Sequence, residues 1–392
     1  MADAVRLATE RNPALAAARN AIEIAEATRL DASRRPNPAM TLESANYPLL
    51  EANRPPFFNN QELTVRFDQD VELSGRRRLR TQAADLSIAA AQARFENERR
   101  LLSLQVQRAY FQAVLAKADR EVADASLGEI DRAISLNRAR FEQGETSGGE
   151  VRRLQVERLR FVDDVFTADL ALRNARSALL ALLNVGDLGQ PVDVVEPLQP
   201  ASGTRAPVAE PAVSLAAAAL GRRPDVAATR QEFVRSETET RLQRALRTPS
   251  VTLGGGYKRD FGTSAVVFGA TVPLPLFNRN QGGVARAEAE QRQAANMALV
   301  TETTVRLEVQ QAINAVTINR ARVDYIEREY LQNARQSRDI VEASYRLGAA
   351  DLIDFLDAQR AFRDTQRTYN RALYEQRISL FELAAATAQP QQ

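Results

Sequence analysis

The same interruption of a long helical stretch occurs twice in this chain, and it restricts the possible folds more than any other feature. Residues 141–155, "FEQGETSGGEVRRLQ", align without gaps with residues 345–359, "YRLGAADLIDFLDAQ", at a constant offset of 204. Each copy places a glycine, Gly144 or Gly348, between two stretches of helix-forming residues. A glycine in this position is typical of a helix that ends and reverses direction. The sequence therefore predicts two helical hairpins with related tips.

The repeat extends over both halves of the sequence. Residues 11–19, "RNPALAAAR", match residues 222–230, "RRPDVAATR", at an offset of 211, and residues 67–73, "FDQDVEL", match residues 268–274, "FGATVPL", at an offset of 201. Both halves thus share one order of elements: helix, strand, strand, long helix, glycine break and helix. Between them, residues 184–213 contain five prolines and form a linker, because proline ends a helix.

The helices beside the glycines are long. Residues 76–141 contain no proline, and a rise of 1.5 Å per residue predicts a helix about 100 Å long. Apolar residues at alternating spacings of three and four, the pattern of a coiled-coil seam, occur on both sides of the first break. Before the break they are Phe111, Leu115, Ala118, Val122 and Ala125, and after it Phe161, Val165, Ala168, Leu172, Ala175, Leu179 and Leu182. We expect each hairpin to be an antiparallel coiled coil.

Two short segments alternate as half-buried β-strands do. In residues 62–73, "ELTVRFDQDVEL", only Gln69 breaks the alternation of apolar and polar side chains. The apolar set is Leu63, Val65, Phe67, Val71 and Leu73, and the corresponding set in the second half is Val266, Phe268, Ala270, Val272 and Leu274. Residues 259–263, "RDFGT", predict a tight turn before the latter strand. Each half therefore carries one strand hairpin.

Composition excludes several classes of function. The chain has no Cys and no His, which excludes disulfides, thiolate or imidazole catalysis and the usual zinc or copper sites, so we predict no cofactor and no metal site. Its 52 basic and 50 acidic residues are interleaved, which argues against a nucleic-acid partner. The exception is the run of Arg76, Arg77, Arg78 and Arg80, which fits a solvated helical turn or a functional cluster equally well.

No apolar run is long enough for a transmembrane helix, and we expect Met1 to replace a removed export segment.

The apolar faces of the strands need a cover that the rest of the sequence does not supply, whereas lipid could supply it. A closed membrane barrel uses about eight strands or more, and open edges are not tolerated in hydrocarbon. Three copies would provide twelve strands around a water-filled lumen, continued by their helical hairpins. A soluble coiled-coil scaffold is the main alternative, but it does not explain the strand hairpins. An enzyme has little support, since "GGGYK" at 254–258 fits no phosphate or dinucleotide motif.

Three stretches together with the repeat carry a resemblance to a known family. They are "TLESAN" at 41–46, "QDVELSGRRRLR" at 69–80 and the "YRLG" segment with the aspartates that follow it. Over essentially its whole length the chain resembles a TolC-type outer-membrane factor, most closely the heavy-metal efflux branch of CzcC and CusC relatives. The resemblance implies a homotrimer with a twelve-stranded outer-membrane β-barrel, continued into the periplasm by an α-helical barrel.

The resemblance also implies partners and a function. It implies docking to a periplasmic adaptor and to a proton-driven inner-membrane transporter of the RND class. The expected function is that of a passive exit duct, gated at its periplasmic tip, for divalent heavy-metal cations. Drug or organic efflux and type I secretion are the alternatives within the family.

The predicted fold is mainly α with a small β part, in eight segments. They are a helical-barrel helix (1–37), a β-barrel hairpin (38–74), a long helical hairpin with its tip near 144 (75–183), the linker, which also forms an equatorial segment (184–213), a second helical-barrel helix (214–248), a second β-barrel hairpin (249–277), a second helical hairpin with its tip near 348 (278–385) and a C-terminal tail (386–392).

Two aspartates after the second glycine are the main site candidates. Asp354 and Asp357 are three residues apart and share a helix face. Around a threefold axis they would bring six carboxylates into a cation-attracting constriction, and the resemblance implies the same role, a selectivity ring. A structural interpretation stays open, in which Asp351 caps the helix and Asp354 favours its N-terminal dipole. The first copy has Arg153 in place of the second aspartate, so we expect the second tip to line the pore and the first to brace it.

The resemblance also supplies a latch and a contact surface. Tyr345 and Glu150 match a tyrosine and an acidic residue that latch neighbouring coiled coils in closed members of the family. Ala350 stands where the family pattern has a gate arginine, so a weaker or different latch is expected. The candidate contacts with the adaptor are Gly144, Glu145, Gly348 and Ala349.

Overall fold

The computed structural model describes residues 1–46, 61–200 and 211–389. Part of the predicted first β hairpin (47–60), of the linker (201–210) and of the C-terminal tail (390–392) lies outside the described residues. The helices are α1 (Ala2–Arg11), α2 (Pro13–Ser33), α3 (Arg76–Glu142), α4 (Gly148–Leu182), α5 (Ala212–Arg222), α6 (Pro224–Ala245), α7 (Gln281–Tyr325), α8 (Gln332–Arg346) and α9 (Leu352–Thr387), with a π-helical segment (Ile326–Leu331) between α7 and α8. The strands are β1 (Ala39–Ala45), β2 (Glu62–Val71), β3 (Val251–Asp260) and β4 (Thr263–Thr271).

The helix that opens each half is divided in two, where the sequence predicted one. Asn12 separates α1 from α2 and Arg223 separates α5 from α6, and both residues have extended backbone with φ of −70°. Each directly precedes a proline, Pro13 or Pro224, which disfavours helical backbone at the residue before it. The repeat therefore preserves a bend as well as a helix.

One compact unit, Arg19–Arg94 with Asp225–Thr301, contains the sheet. The four strands pair antiparallel in the order β1, β2, β3, β4. Phe261 and Gly262 form the turn between β3 and β4, both with positive φ, as in the primed turns that favour hairpins. The predicted tight turn is confirmed, and the hairpins of the two halves join through β2 and β3 into one sheet.

The sheet has one apolar face and one polar face. Directly paired residues lie on the same face, and the register places these apolar side chains together: Met40, Leu42, Leu63, Val65, Phe67, Leu253, Tyr257, Val266 and Phe268. Phe268 is 84% exposed, so this face has little cover within the described chain. Val272 and Leu274 lie beyond the end of β4 and outside the alternation predicted for them.

Polar contacts join the strands on the opposite face. Lys258 donates to Glu62 over 3.1 Å, and Thr252 donates to Asp70 over 2.5 Å. The predicted alternation is therefore confirmed over β2. Among the described residues, no helix is both long and apolar enough to cross a membrane.

The other unit, Met1–Ala18 with Phe95–Pro224 and Glu302–Gln392, is helical. One core joins α1, α3, α4 and α9 beside the start of the linker, and a second core lies near the glycine breaks. The predicted seam of α4 is confirmed, because Phe161, Ala168, Leu172, Ala175 and Leu179 are all buried.

The seam predicted for α3 is only partly correct. Phe111 and Leu115 are buried, but Ala125 is exposed. Nearer the tip the buried line is Ala123, Ser126, Ile130, Ala133 and Asn137, which keeps the spacing of three and four with a different phase. Small and aliphatic residues occur on more than one line of this part of α3, and only packing selects between the lines.

Arg363 on α9 holds the two hairpins together, and its removal should be costly. Its guanidinium donates to Asp164 on α4 over 2.6 Å and lies 5.3 Å from the ring centroid of Phe161. We expect Arg363→Ala to lower the free energy of unfolding by about 2 kcal/mol, because Asp164 would keep only its longer contact with Arg367, over 3.4 Å. Thermal unfolding in detergent measures the change.

Arg371→Ala is the matched control for Arg363→Ala. Arg371 lies on the same helix but its side chain is 70% exposed, against 15% for Arg363, and it pairs with Glu375 one turn away. Such exposed pairs contribute at most about 0.5 kcal/mol. Equal losses in the two variants would contradict the clamping role of Arg363.

Candidate functional site at the helix reversals

The two glycine breaks have the same geometry. Gly144 and Gly348 both have φ of +77°, in the left-handed region where glycine is favoured over other residues. In both tips the amide that follows the glycine donates to the carbonyl five residues earlier over 2.8 Å, as in a Schellman motif: Glu145 to Arg140, and Ala349 to Ser344. The predicted helix reversals at Gly144 and Gly348 are confirmed.

The helices that follow the tips begin differently. Ser147 caps α4, and its hydroxyl accepts a hydrogen bond from the Glu150 amide over 3.3 Å. Asp351 occupies the N-cap position of α9, but its side chain forms no capping hydrogen bond. The capping interpretation of the aspartates is thus correct for the position of Asp351 and not for its side chain.

The structure places Asp354 and Asp357 on one exposed face of α9. Both line an open groove of about 490 Å³ between α8 and α9, whose other lining residues are small or aliphatic. Asp357 accepts from Arg360 over 3.2 Å, and Arg360 also donates to Glu157 over 2.5 Å. Asp354 has no hydrogen-bond or ion-pair partner within the described ranges, so its charge is the less compensated of the two. No cluster of three or more potential metal ligands occurs in those ranges.

Tyr345 is the anchor of the tip core. Its side chain is 4% exposed, and its ring stacks on that of Phe355 with centroids 4.9 Å apart. Its hydroxyl accepts a hydrogen bond from Asn137 Nδ2 on α3 over 2.5 Å. Burial raises the pKa of the Tyr345 hydroxyl above its ordinary value, and the nearby charge of Glu150 raises it further. The hydroxyl therefore stays protonated at neutral pH.

Within the chain, Tyr345 and Glu150 do not bond directly. Glu150 Oε2 accepts from Thr146 over 2.7 Å, while the tyrosine is held by Asn137. The predicted latch between neighbouring coiled coils stays a prediction. Asn137 is the tip residue that sequence reasoning missed, and its signal is a polar side chain on the buried line of α3.

The four predicted contact residues, Gly144, Glu145, Gly348 and Ala349, are all exposed at the tips. Beside them lies Leu347, which is 84% exposed and was also missed by the sequence analysis. An exposed leucine next to a glycine turn adds an apolar contact surface to the second tip.

The bond between Tyr345 and Asn137 gives a prediction for the stability of the tip. Tyr345→Phe removes the acceptor and leaves a buried amide N–H with one partner fewer, at a cost of about 1–2 kcal/mol. We expect amides in residues 341–352 to exchange hydrogen about tenfold faster, which corresponds to 1.4 kcal/mol. Hydrogen–deuterium exchange with mass spectrometry measures this.

The control for Tyr345→Phe is a double-mutant cycle with Asn137→Ala. If the two groups act through their mutual bond, the double variant should exchange little faster than either single variant. Additive effects would show that the hydroxyl and the amide stabilise the tip independently.

The repeat itself matches a known family model. Residues 4–185 and 215–389 match the model described as "Outer membrane efflux protein". The two matched ranges cover both halves of the chain and leave out most of the linker.

Relatives match over nearly the same length. The chain is 26% identical to the cobalt-zinc-cadmium resistance protein CzcC of Cupriavidus metallidurans, over 93% of this chain and 84% of that protein. It is 24% identical to the cation efflux system protein CusC of Escherichia coli K12, over 81% of this chain and 70% of the relative. The resemblance to the heavy-metal efflux branch is thus confirmed.

A solved structure shares the fold. The outer membrane protein VceC of Vibrio cholerae superposes with a TM-score of 0.82 at 23% identity, over 98% of this chain and 95% of that chain. The mainly helical fold with a small sheet is therefore confirmed.

The family match, with the repeated reversals and the two-faced sheet, confirms two expectations from the sequence. The chain is an outer-membrane efflux channel that extends into the periplasm, and it is not an enzyme. It belongs to the outer membrane efflux protein family.

Proposed function

We propose that three copies of this chain form the outer-membrane exit duct of a tripartite efflux system for divalent metal cations. The observation that carries the proposal is the four-stranded sheet, which has an exposed apolar face, a polar face and two edge strands. No single sheet of this kind is stable in hydrocarbon, since its edges would be unpaired.

Pairing between copies would remove those edges. β1 leaves the end of the sheet that joins the helices, and β4 returns to that end, so β4 of one copy would pair antiparallel with β1 of the next. Three copies close a ring of twelve strands, in which the apolar face meets lipid and the polar face meets water. Such a head-to-tail contact is the kind that generates cyclic symmetry.

The same symmetry would bring the second tips together around the axis. Asp354 and Asp357 are exposed on one face of α9 among small side chains, which leaves their carboxylates accessible to ions. Six carboxylates in one constriction would attract cations and repel anions. In this arrangement they are the selectivity ring.

The latch would act between copies. Tyr345 has a hydroxyl that accepts from Asn137 and retains its own proton for donation, and its raised pKa keeps that proton in place. Glu150 is exposed on the first tip and could accept it from a neighbouring hairpin. With Ala350 at the position of the family's gate arginine, this pair would hold the gate with one charge-assisted bond fewer.

The tips would also contact the partners. Gly144, Glu145, Gly348 and Ala349 are exposed at the end of the helical hairpins and would receive the periplasmic adaptor. The adaptor would connect the duct to an inner-membrane RND transporter. The exposed Leu347 offers that contact an apolar side chain.

The cargo is inferred from relatives and from charge. The two relatives described above are named for resistance to cobalt, zinc and cadmium and for cation efflux. The chain has no His and no Cys, so its pore would select cations by charge rather than by coordination. Discrimination among metals would then reside in the transporter.

Deletion of the gene in its native host tests the cargo. We expect the minimal inhibitory concentrations of zinc, cobalt or cadmium salts to fall at least about fourfold, while those of organic dyes and antibiotics stay unchanged. Complementation with the wild-type chain should restore resistance. If metal resistance stayed unchanged and the cells became sensitive to organic compounds, the cargo would be organic compounds and not metal cations.

A further inference from the structure

The run of arginines that begins α3 belongs to a larger basic belt. Four short segments, 34–38, 72–80, 246–250 and 272–280, lie where the strands meet the helices, and the second of them includes the first turn of α3. Together they contain eight arginines and a single carboxylate, Glu72. This local excess of positive charge contrasts with the rest of the chain, where basic and acidic residues are balanced.

All four segments lie at the same end of the sheet. The strand register pairs Ala39 at the start of β1 with Asp68 near the end of β2, and Val71 at the end of β2 with Val251 at the start of β3. Thr252 is paired with Thr271 at the end of β4. The belt therefore follows the edge where every strand meets its helix.

Two of the arginines are used inside the protein. Arg76 is buried and donates to Ser250 over 3.0 Å, and Arg80 donates to Glu72 over 2.7 Å. With Glu72 thus neutralised, no carboxylate in these segments is left to balance the remaining guanidinium groups. Those that are exposed are Arg34, Arg35, Arg77, Arg78, Arg247 and Arg279.

Apolar side chains are exposed beside the arginines. Leu274, Leu276 and Phe277 follow β4 directly, and Phe277 is 92% exposed. Pro273 and Pro275 alternate with them and keep the segment extended. Val272 is exposed as well, so exposed apolar side chains continue along the chain from Val266 and Phe268 on β4 into this segment.

We infer that this belt binds the anionic headgroups of phospholipids in the periplasmic leaflet of the outer membrane. The inference rests on the proposed function, which places the apolar face in lipid and the helices in the periplasm. A guanidinium fork matches a phosphate in geometry and charge, and aromatic and aliphatic side chains at this depth enter the acyl region. The occupant is a leaflet lipid, because the belt is continuous with the lipid-facing sheet.

The chain has no Trp, so a single introduced Trp reports its own surroundings. We would reconstitute Phe277→Trp in phosphatidylcholine bilayers that contain a fixed fraction of brominated phosphatidylglycerol, or the same fraction of brominated phosphatidylcholine. Bromine quenches Trp only at close range. We expect quenching by the anionic lipid to indicate an enrichment of about fivefold or more, since each arginine near a membrane surface is equivalent to about that factor.

Two controls fix the interpretation. Leu347→Trp at the tip should not be quenched by either lipid. In the Phe277→Trp background, R34Q, R35Q, R77Q and R78Q together should abolish the preference for the anionic lipid. The control is a second set of four changes at exposed positions elsewhere on the helices, which removes the same charge: R138Q, R152Q, R320Q and R328Q. This control variant should retain the preference for the anionic lipid.

The outcomes separate this inference from the proposed function. Equal quenching by both lipids, in a protein that still conducts ions across planar bilayers, would overturn the belt and leave the channel intact. No quenching at position 277 and no conductance would overturn the channel itself. The fourfold arginine variant could fail to assemble, and salt then provides a second test on the Phe277→Trp protein. Raising NaCl from about 0.05 to about 0.5 M should remove the preference for the anionic lipid, because salt screens exposed charges. A preference for the anionic lipid that resists salt would contradict the inference.

Discussion

Replacing Asp354 and Asp357 together by Asn is expected to remove most of the cation selectivity of the channel. At about 10 Å in water, one carboxylate stabilises a monovalent cation by about 0.4 kcal/mol, and six contribute about 2.4 kcal/mol before salt screens them. We therefore expect the cation-to-anion permeability ratio to fall about tenfold at low salt. Reversal potentials in planar bilayers under a salt gradient measure it, and block by divalent cations should weaken in parallel.

The two single variants should differ in how much cation selectivity they lose. Asp357 shares its charge with Arg360, whereas Asp354 has no such partner within the described ranges, so Asp354→Asn should cost more selectivity than Asp357→Asn. The matched control, Asp163→Asn with Asp324→Asn, removes two exposed carboxylates elsewhere on the helices. A double Asp354 and Asp357 variant with unchanged selectivity would show that the ring does not line the conducting path.

Gly256→Ala should prevent the sheet from forming correctly. A Cβ at Gly256 would lie 2.2 Å from the carbonyl oxygen of Val65 and 2.7 Å from Cα of Arg66, which are backbone atoms of the neighbouring strand. Backbone cannot move aside as a side chain can, so we expect a loss of about 3 kcal/mol in the free energy of unfolding. Thermal unfolding followed by circular dichroism, and the yield of protein in the membrane fraction, should both fall.

Two glycines of the same sheet provide a graded control. At Gly269 an added Cβ meets no atom within 4 Å, so Gly269→Ala should leave stability within about 0.5 kcal/mol of wild type. At Gly254 the nearest atom is the side-chain carboxylate of Asp68, which can rotate away, so Gly254→Ala should have an intermediate effect. A Gly269 variant as damaged as the Gly256 variant would mean that strand propensity, not close approach, explains the loss.

Much of the fold could be predicted because the repeat gives each pattern twice. The glycine at the tip, the alternation in β2 and the turn at Phe261 and Gly262 are local signals, and each is found where the sequence places it. The bends at Asn12 and Arg223 were equally local, since a proline follows each. They were missed because the helical pattern continues across them.

Other features depend on tertiary contacts that no local pattern records. The phase of the α3 seam near the tip, and with it the burial of Asn137, follows from which line of small residues meets Tyr345. The π-helical segment has the ordinary helix-forming sequence "IEREYL". Ile326 of this segment packs in a core with Tyr369. Burial in that core, and then the charge of Glu327, raise the pKa of Tyr369 to about 12.

The residues of the candidate site could be named from the sequence, whereas most of the hydrogen bonds and ion pairs they form could not. The repeat points to both glycines and to the two aspartates, and the family resemblance points to Tyr345. The structure places the glycines at the helix reversals, while the roles of the aspartates and of the tyrosine stay predictions. The sequence did not identify the acceptor role of the tyrosine hydroxyl toward Asn137, or the compensation of Asp357 by Arg360. Both depend on which helices are neighbours, and the spacing within one helix does not contain that information.

Electron cryomicroscopy of the full chain, extracted from membranes in detergent, would show whether three copies close a common barrel and helical duct. We expect a threefold-symmetric particle in which β1 of each copy is hydrogen-bonded to β4 of the next, giving twelve strands, with Asp354 and Asp357 of all three copies facing the axis. A particle with another number of copies, or one in which β1 and β4 remain unpaired, would contradict it.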